Sequence, residues 1–321
     1  MLFRSRLDKQ IVFHRQVLKK VTQESVYYFD VNKTVSNELF YMLRYPFDQV
    51  SSVRTSFIGK YDKINTLSVD YGSLISKPID KYYLGLKTEY IFDNTRDISI
   101  NLLDGWRCKI FGEYYYQIND KNYNTFVVGG DLRFYKELFR DIVFASRLAG
   151  ATSFGSGKVI FYLGGVDNWY DLSFDTTGMK YFDKTVRLNP NENYIFQAVA
   201  TNLRGFPQNI RNGNSFLLSN IELRVPIFRA IMPFPINSDF WYHFQVVGFF
   251  DIGSAWSGVS PYDKKNYYHT ITEVRPPFTV TVDLERPPLV YGYGFGFRSK
   301  LFGYFIRLDY AWGTEAYYHY P

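Results

Sequence analysis

Residues 289–300 and 303–313 alternate with a period of two along their whole length, and nothing else in the sequence constrains the fold as tightly. In the first segment Tyr291, Tyr293, Phe295 and Phe297 stand against Gly292, Gly294, Gly296 and Arg298. In the second, Tyr304, Ile306, Leu308, Tyr310 and Trp312 stand against Arg307 and Asp309. Residues 217–227 set Leu217, Ile221, Leu223, Val225 and Ile227 against Asn220, Glu222 and Arg224, and residues 242–253 set Tyr242, Phe244, Val246, Phe250 and Ile252 against His243, Gln245 and Asp251. Looser alternation predicts further strands near 36–46, 50–60, 80–92, 98–117, 122–135 and 141–152, with a faint one at 25–31. The expected fold is all-β, with ten or eleven antiparallel strands.

Two architectures can use such ladders. A soluble sandwich buries the apolar row against a second sheet. A membrane barrel turns it to lipid and keeps the polar row for a wet lumen. A globular strand runs about 5–6 residues, whereas a membrane barrel strand needs about 9–11, and the longer figure fits these segments. Composition agrees: the chain holds 30 Phe and 29 Tyr, yet its mean hydropathy is only −0.22. No run approaches the roughly 18 apolar residues that a spanning helix requires. Short aromatic segments, Tyr45-Pro-Phe-Asp-Gln, Phe92-Asp-Asn-Thr-Arg, Phe134-Tyr-Lys-Glu-Leu and Leu301-Phe-Gly, read as turns at one rim, and 61–79 and 254–288 as long loops at the other.

Other chemistry is poorly represented. Cys108 is the single cysteine, so neither a disulfide nor a cysteine zinc site forms within one chain, and it reads as a wall residue. The histidines, His14, His243, His269 and His319, show no metal-ligand spacing, and His243 is expected as a polar lining of the lumen. Basic residues lie singly along the strands, so the net charge of +6 does not suggest a nucleic acid. Glu222 and Asp251 could be taken for an acid–base pair, but no nucleophile, phosphate loop or metal cluster accompanies them. No enzymatic activity, cofactor or metal is expected. The opening residues do not form a secretory leader, which suggests a fragment of a longer precursor.

Four motifs then occur in order. Residues 203–226 read Leu-Arg-Gly-Phe, a Gly-containing turn and Glu-Leu-Arg-Val-Pro. Phe249-Phe-Asp-Ile-Gly-Ser-Ala-Trp256 follows, then Gly292-Tyr-Gly-Phe-Gly-Phe-Arg298, then Arg307-Leu-Asp309, and Leu-Gly-Gly stands at 163–165. This series resembles the BamA-like superfamily of bacterial outer-membrane assembly and translocation barrels (the bacterial surface antigen type). Leu203 departs from that family's usual Val. The resemblance implies a transmembrane barrel of 16 strands in a complete member. Against it, residues 1–321 read as a single, incomplete barrel domain without the first strands and the final strand. It implies insertion of outer-membrane proteins or translocation of polypeptides, with the lipid bilayer, unfolded clients and accessory lipoproteins as partners. Relatives carry periplasmic domains upstream, and the motif wording is most similar to members from Bacteroidota. A passive channel or a surface anchor is the alternative function.

The motif residues have their own physics. Glu222 and Asp251 fall on lumen faces of adjacent strands and repel unless a cation lies between them. Arg204, on a loop folded inward, can supply a forked guanidinium, and the glycine row at 292, 294 and 296 leaves the wall bare for the loop to approach. The resemblance assigns Arg204, Gly205, Phe206, Glu222, Asp251 and Gly253 to such a latch, with Arg298, Arg307 and Asp309 as lumen charges. The alternative is an exposed Arg204, with the carboxylates paired to Arg224 or Arg298.

Overall fold

The computed structural model describes residues 7–320 except 24–28, 68–74, 76, 120–122, 166–193, 201, 207–208, 233, 264–265, 267–269, 276–277, 284–286 and 316–317. The first strands are β1 (Asp8–Gln23), β2 (Phe29–Pro46), β3 (Ser51–Leu67) and β4 (Ile79–Asp93). A short β5 (Arg96–Ser99) precedes β6 (Leu102–Gln117), β7 (Asn124–Phe139) and β8 (Ile142–Gly155). Next come β9 (Lys158–Leu163), β10 (Tyr194–Val199), β11 (Arg211–Gly213) and β12 (Ser215–Val225), then the single-turn helices α1 (Ile227–Ile231) and α2 (Asp239–Tyr242). The chain continues through β13 (Gln245–Trp256), β14 (Thr270–Arg275), β15 (Phe278–Asp283), β16 (Val290–Leu301), β17 (Tyr304–Glu315) and β18 (Tyr318–Tyr320).

One antiparallel meander forms the wall, in the order β1-β2-β3-β4-β6-β7-β8-β12-β13-β16-β17-β18. Eleven of these strands are long, between 11 and 18 residues. β1 was not expected, because Arg15 interrupts its outward row of Ile11, Phe13 and Val17. Of the faint segment at 25–31, residues 29–31 belong to β2 and the remainder lies outside the described residues. The expectation of no strand after 313 fails as well: Tyr318–Tyr320 pair with Gly313–Glu315.

Three of the four aromatic segments mark turns as expected, and one does not. Phe134–Leu138 lies inside β7, and the chain reverses at Arg140 and Asp141, both with positive φ (46° and 65°). That is the geometry of a two-residue hairpin whose twist matches the sheet, and Phe302–Gly303 repeats it. Strand β3 takes over the first part of the loop placed at 61–79, and β14 and β15 pair as a hairpin within 254–288. Tyr242 and His243 end α2 rather than open a strand, and His243 Nδ1 lies 2.9 Å from the Asp239 carbonyl.

The two faces of the wall decide the architecture. Leu84, Leu86, Tyr90, Leu132, Leu148, Leu217, Ile221, Leu223, Phe250, Tyr293, Phe295 and Leu308 are all exposed. Glu89, Asp131, Asp251, Gln245, Arg298 and Glu315 on the opposite face are buried. A sandwich would invert that distribution; a sheet curved around a polar lumen in lipid requires it. Opposite charges tile the inner face: Lys87 Nζ lies 2.7 Å from Glu113 and 3.4 Å from Glu89, which also faces Arg54 at 3.6 Å. Arg133 and Arg147 stand directly opposite each other, and both fork onto Asp131. Aromatic pairs collect at the short-turn rim, including Tyr45–Phe47 and Trp106–Phe134, with ring centroids 5.5 and 4.5 Å apart. Short turns identify this as the periplasmic rim.

Leu86→Arg, at the middle of β4 on the outward row, should lower the stability of the barrel folded into lipid vesicles by about 2–4 kcal/mol, measured by urea titration of tryptophan fluorescence. A soluble sheet with that row in water would be unaffected.

Candidate functional site

The connection from β8 to β12 enters the barrel instead of standing above it. Its β9 pairs antiparallel with β11 and parallel with β10. Val159, Phe161, Leu163, Leu203, Phe206 and Ile210 of this loop form one buried cluster with Val127, Ala149, Ala151, Phe216, Leu218, Ala255 and Val290 of the wall. Alanine at 149, 151 and 255 keeps the wall thin where the loop leans on it. The Leu163-Gly-Gly segment makes the bend, with φ of 104° at Gly164 and 78° at Gly165, and Gly165 N–H donates to the Phe206 carbonyl at 3.0 Å. Gly165 also bridges to Leu203, which sets the next residue against the wall.

That residue is Arg204, 3% exposed. Its Nε and Nη2 donate to the two oxygens of Asp251 at 2.7 and 2.6 Å, and its backbone N–H adds a bond to Asp251 Oδ2 at 3.2 Å. Nη1 donates to Glu222 Oε1 at 2.6 Å. The guanidinium lies 3.7 Å above the ring centroid of Phe249. Register explains the convergence, since Asp251 is opposite Asn220 and Phe249 opposite Glu222 in the β12–β13 ladder. All three side chains therefore project inward from neighbouring positions. Asp251 is wholly buried, and a buried carboxylate of this kind requires such a charged, multiply bonded partner.

Glu222 is shared. Its Oε2 accepts from Arg224 Nε at 2.9 Å, and Arg298 Nη2 reaches Oε1 at 3.6 Å. Arg298 also meets Asp309 Oδ1 at 3.4 Å, and Arg307 Nε donates to Asp309 Oδ2 at 2.6 Å. The two arrangements considered from the sequence are thus combined: Arg204 is buried on both carboxylates, and Arg224 and Arg298 also engage Glu222. Among the described residues no group of His, Cys, Asp or Glu is placed to hold a metal ion.

The glycine row divides its work rather than clearing one path for the loop. Only at Gly292 does the loop take the space: a Cβ there would lie 1.9 Å from the Arg204 carbonyl oxygen. At Gly294 it would meet the Tyr310 carbonyl and the Phe249 ring, and at Gly296 the Asp309 carboxylate. Gly294 thus seats the ring beneath Arg204, and Gly296 seats the counter-ion of Arg298. Gly205, with φ of 86°, passes so close to β17 that a Cβ would meet the Trp312 carbonyl, and Gly313 on that strand gives room to the Gly205 carbonyl and the Phe206 ring. Gly253 leaves room for Leu218.

Sequence reasoning missed two contributors. Phe249 shares the inward parity of Gln245 and Asp251, which was the signal available. The other is a second buried ion pair, Arg211 Nη2 to Glu315 Oε1 at 2.7 Å, with Arg211 also donating to the Pro287 carbonyl at 2.9 Å. Extending the Arg307–Asp309 parity to the end of β17 would have brought Glu315 inward.

Residues 84–319 match the Omp85 superfamily domain, over a stretch that contains the inward loop with Arg204 and the wall residues Glu222 and Asp251. The chain belongs to the Omp85 superfamily. Membership places it in the outer membrane of a Gram-negative bacterium, within a family of protein-inserting and polypeptide-translocating barrels. Among solved structures it is similar to BamA from Haemophilus ducreyi lacking POTRA domains 1–3, with a TM-score of 0.54 and 14% identity. That likeness covers 96% of this chain and 56% of the other, so the chain spans little more than half the length of that protein. No curated protein matches the sequence.

Arg204→Ala would strand the buried Asp251 carboxylate and should cost about 3–5 kcal/mol, read as a lower temperature for loss of the folded, heat-modifiable band on cold gels. Gly292→Ala should displace the loop and produce a comparable drop, whereas Gly248→Ala, whose Cβ would meet nothing within 4 Å, should leave the band unchanged.

Proposed function

We propose that this barrel assists the insertion of outer-membrane proteins or the transfer of polypeptides across the outer membrane, with the Arg204 loop latched inside the lumen to hold the wall rigid. The observation that carries this reading is the Arg204–Asp251–Glu222 contact at 2.6–2.7 Å, deep inside a polar lumen. A diffusion pore gains nothing from a loop tied across its bore. A barrel that works at its edge gains a fixed frame beside that edge. In hydrocarbon an unpaired strand edge leaves peptide groups unsatisfied, so pairing a client strand there is favourable without nucleotide hydrolysis.

Among the described residues β1 and β17 are not paired with each other, and the reading includes further strands that complete the barrel in the membrane. Unfolded outer-membrane proteins or exported chains are the proposed clients, in cooperation with accessory lipoproteins. The test uses the full-length protein in lipid vesicles, following the folding of an added unfolded barrel protein and the efflux of a trapped small sugar. Accelerated client folding with little efflux is the expected outcome. Fast efflux without folding assistance would replace this reading by a passive channel. Arg204→Ala in the same assay should slow client folding more than Arg204→Lys, which keeps the charge but not the fork.

A further inference from the structure

The second intrusion into the lumen comes from the periplasmic rim. At Gly105, φ is 123° and a Cβ would lie 2.8 Å from the Asn94 carbonyl oxygen, so the chain leaves the wall there. Pairing of β6 with β7 starts at Gly105 opposite Tyr135, and residues 102–104 pair instead with β5. Asn94 pins the neck, accepting the Trp106 N–H on its side chain at 2.7 Å. What projects is a hairpin, 96–104, reversed at Asn101 with φ of 64°.

Its tip crosses the inner faces of β7, β8 and β12 and docks on β13. Leu102 is fully buried against Tyr135, Val143 and Ala145. Gln245 Nε2 donates to the Ile100 carbonyl at 2.8 Å, Asn101 Nδ2 donates to Gln245 Oε1 at 3.1 Å, and Arg224 Nη1 donates to the Asn101 carbonyl at 2.7 Å. Arg224 is also bonded to Glu222, which Arg204 holds on its other oxygen, so the hairpin and the Arg204 loop are joined through the Arg224–Glu222 pair. Between them lies a cavity of about 210 Å³, bounded by Arg204 and Asn202 of the loop and by Tyr135, Ala145 and Arg224 on the hairpin side.

We infer that the 96–104 hairpin is a second plug, set beneath the latched loop, and that the barrel therefore handles polypeptides at its sheet edge rather than down its lumen. This rests on the function proposed above and narrows it to strand-forming clients that enter the bilayer. Three hydrogen-bonding groups at the tip, the Ile100 carbonyl, the Asn101 amide and the Asn101 carbonyl, are consumed in docking, all toward the wall, and Leu102 is buried there. The docked position is therefore the satisfied one, and undocking would expose Gln245 and part of the latch network together.

Two measurements on the full-length protein test it. In a Cys108→Ser background, Asn220→Cys places a thiol in the cavity between the two plugs. Its reaction with a water-soluble maleimide should be slow, and adding Asn101→Gly with Gln245→Ala should accelerate it at least about tenfold, as expected for release of a docked segment. Equal rates, with folding verified by heat-modifiable mobility, would overturn the plug. Separately, Asn101→Cys and Gln245→Cys are bridged with a short bis-maleimide, and client folding is compared with the same thiols capped singly. Unchanged folding assistance is expected; loss on bridging alone would show that clients need the hairpin to move and would overturn the edge route. If the parent itself gives no folding assistance, the proposed function fails while the labelling rates still decide the plug.

Discussion

A peptide group left unpaired in hydrocarbon costs several kcal/mol, and the rest of this structure follows from avoiding that cost. The wall must be a continuous ladder long enough to cross the bilayer, which is why eleven strands run 11–18 residues. A pleated ladder shows alternate side chains to opposite sides, so the apolar rows of Tyr, Phe and Leu must face outward and the charged rows inward. A lumen lined with charges is then unavoidable. The question for the molecule becomes how to neutralise those charges where water is scarce.

The answer differs along the wall. On β3, β4 and β6 the residues alternate in sign, as with Lys87 between Glu89 and Glu113. On β7 and β8 two like charges face each other and Asp131 clamps both. On β12 and β13 two carboxylates converge with no wall cation sufficient for both, and the loop residue Arg204 completes the set. Burying ions in this way is not efficient as a source of stability. It does fix position, because only one placement of the loop lets Arg204 reach Asp251 with three bonds and cover Phe249. Glycine then permits the approach at Gly292 and Gly313, where the loop backbone touches the wall backbone.

The lumen is thus occupied from both rims by segments that share one network through Arg224. Such coupling favours a barrel whose bore is filled and whose edges are the accessible features. It leaves little room for free diffusion past Arg204.

The period-two ladders, read residue by residue, were sufficient for the fold class, for most strands and for the inward parity of Glu222, Asp251 and Asp309. Strand β1 escaped because Arg15 stands in its apolar row, Phe249 because an aromatic side chain at an inward position does not announce itself as lumen lining, and Glu315 because it lies beyond the charged positions used to set the parity. The motif order carried the family, and the resemblance brought Arg204 to the carboxylates before any geometry was available. Local sequence could not disclose the inward hairpin at 96–104, the second pair of Arg211 with Glu315, or the separate tasks of the three glycines. Those depend on which residues distant in the chain share a volume, and only the curvature of the wall around a loop determines that. Alternation is a local property fixed by backbone geometry, so the sequence alone determined which side of the wall each residue faces; who meets whom inside the lumen was decided by tertiary structure, because charges and glycines act on whatever the curvature brings opposite them.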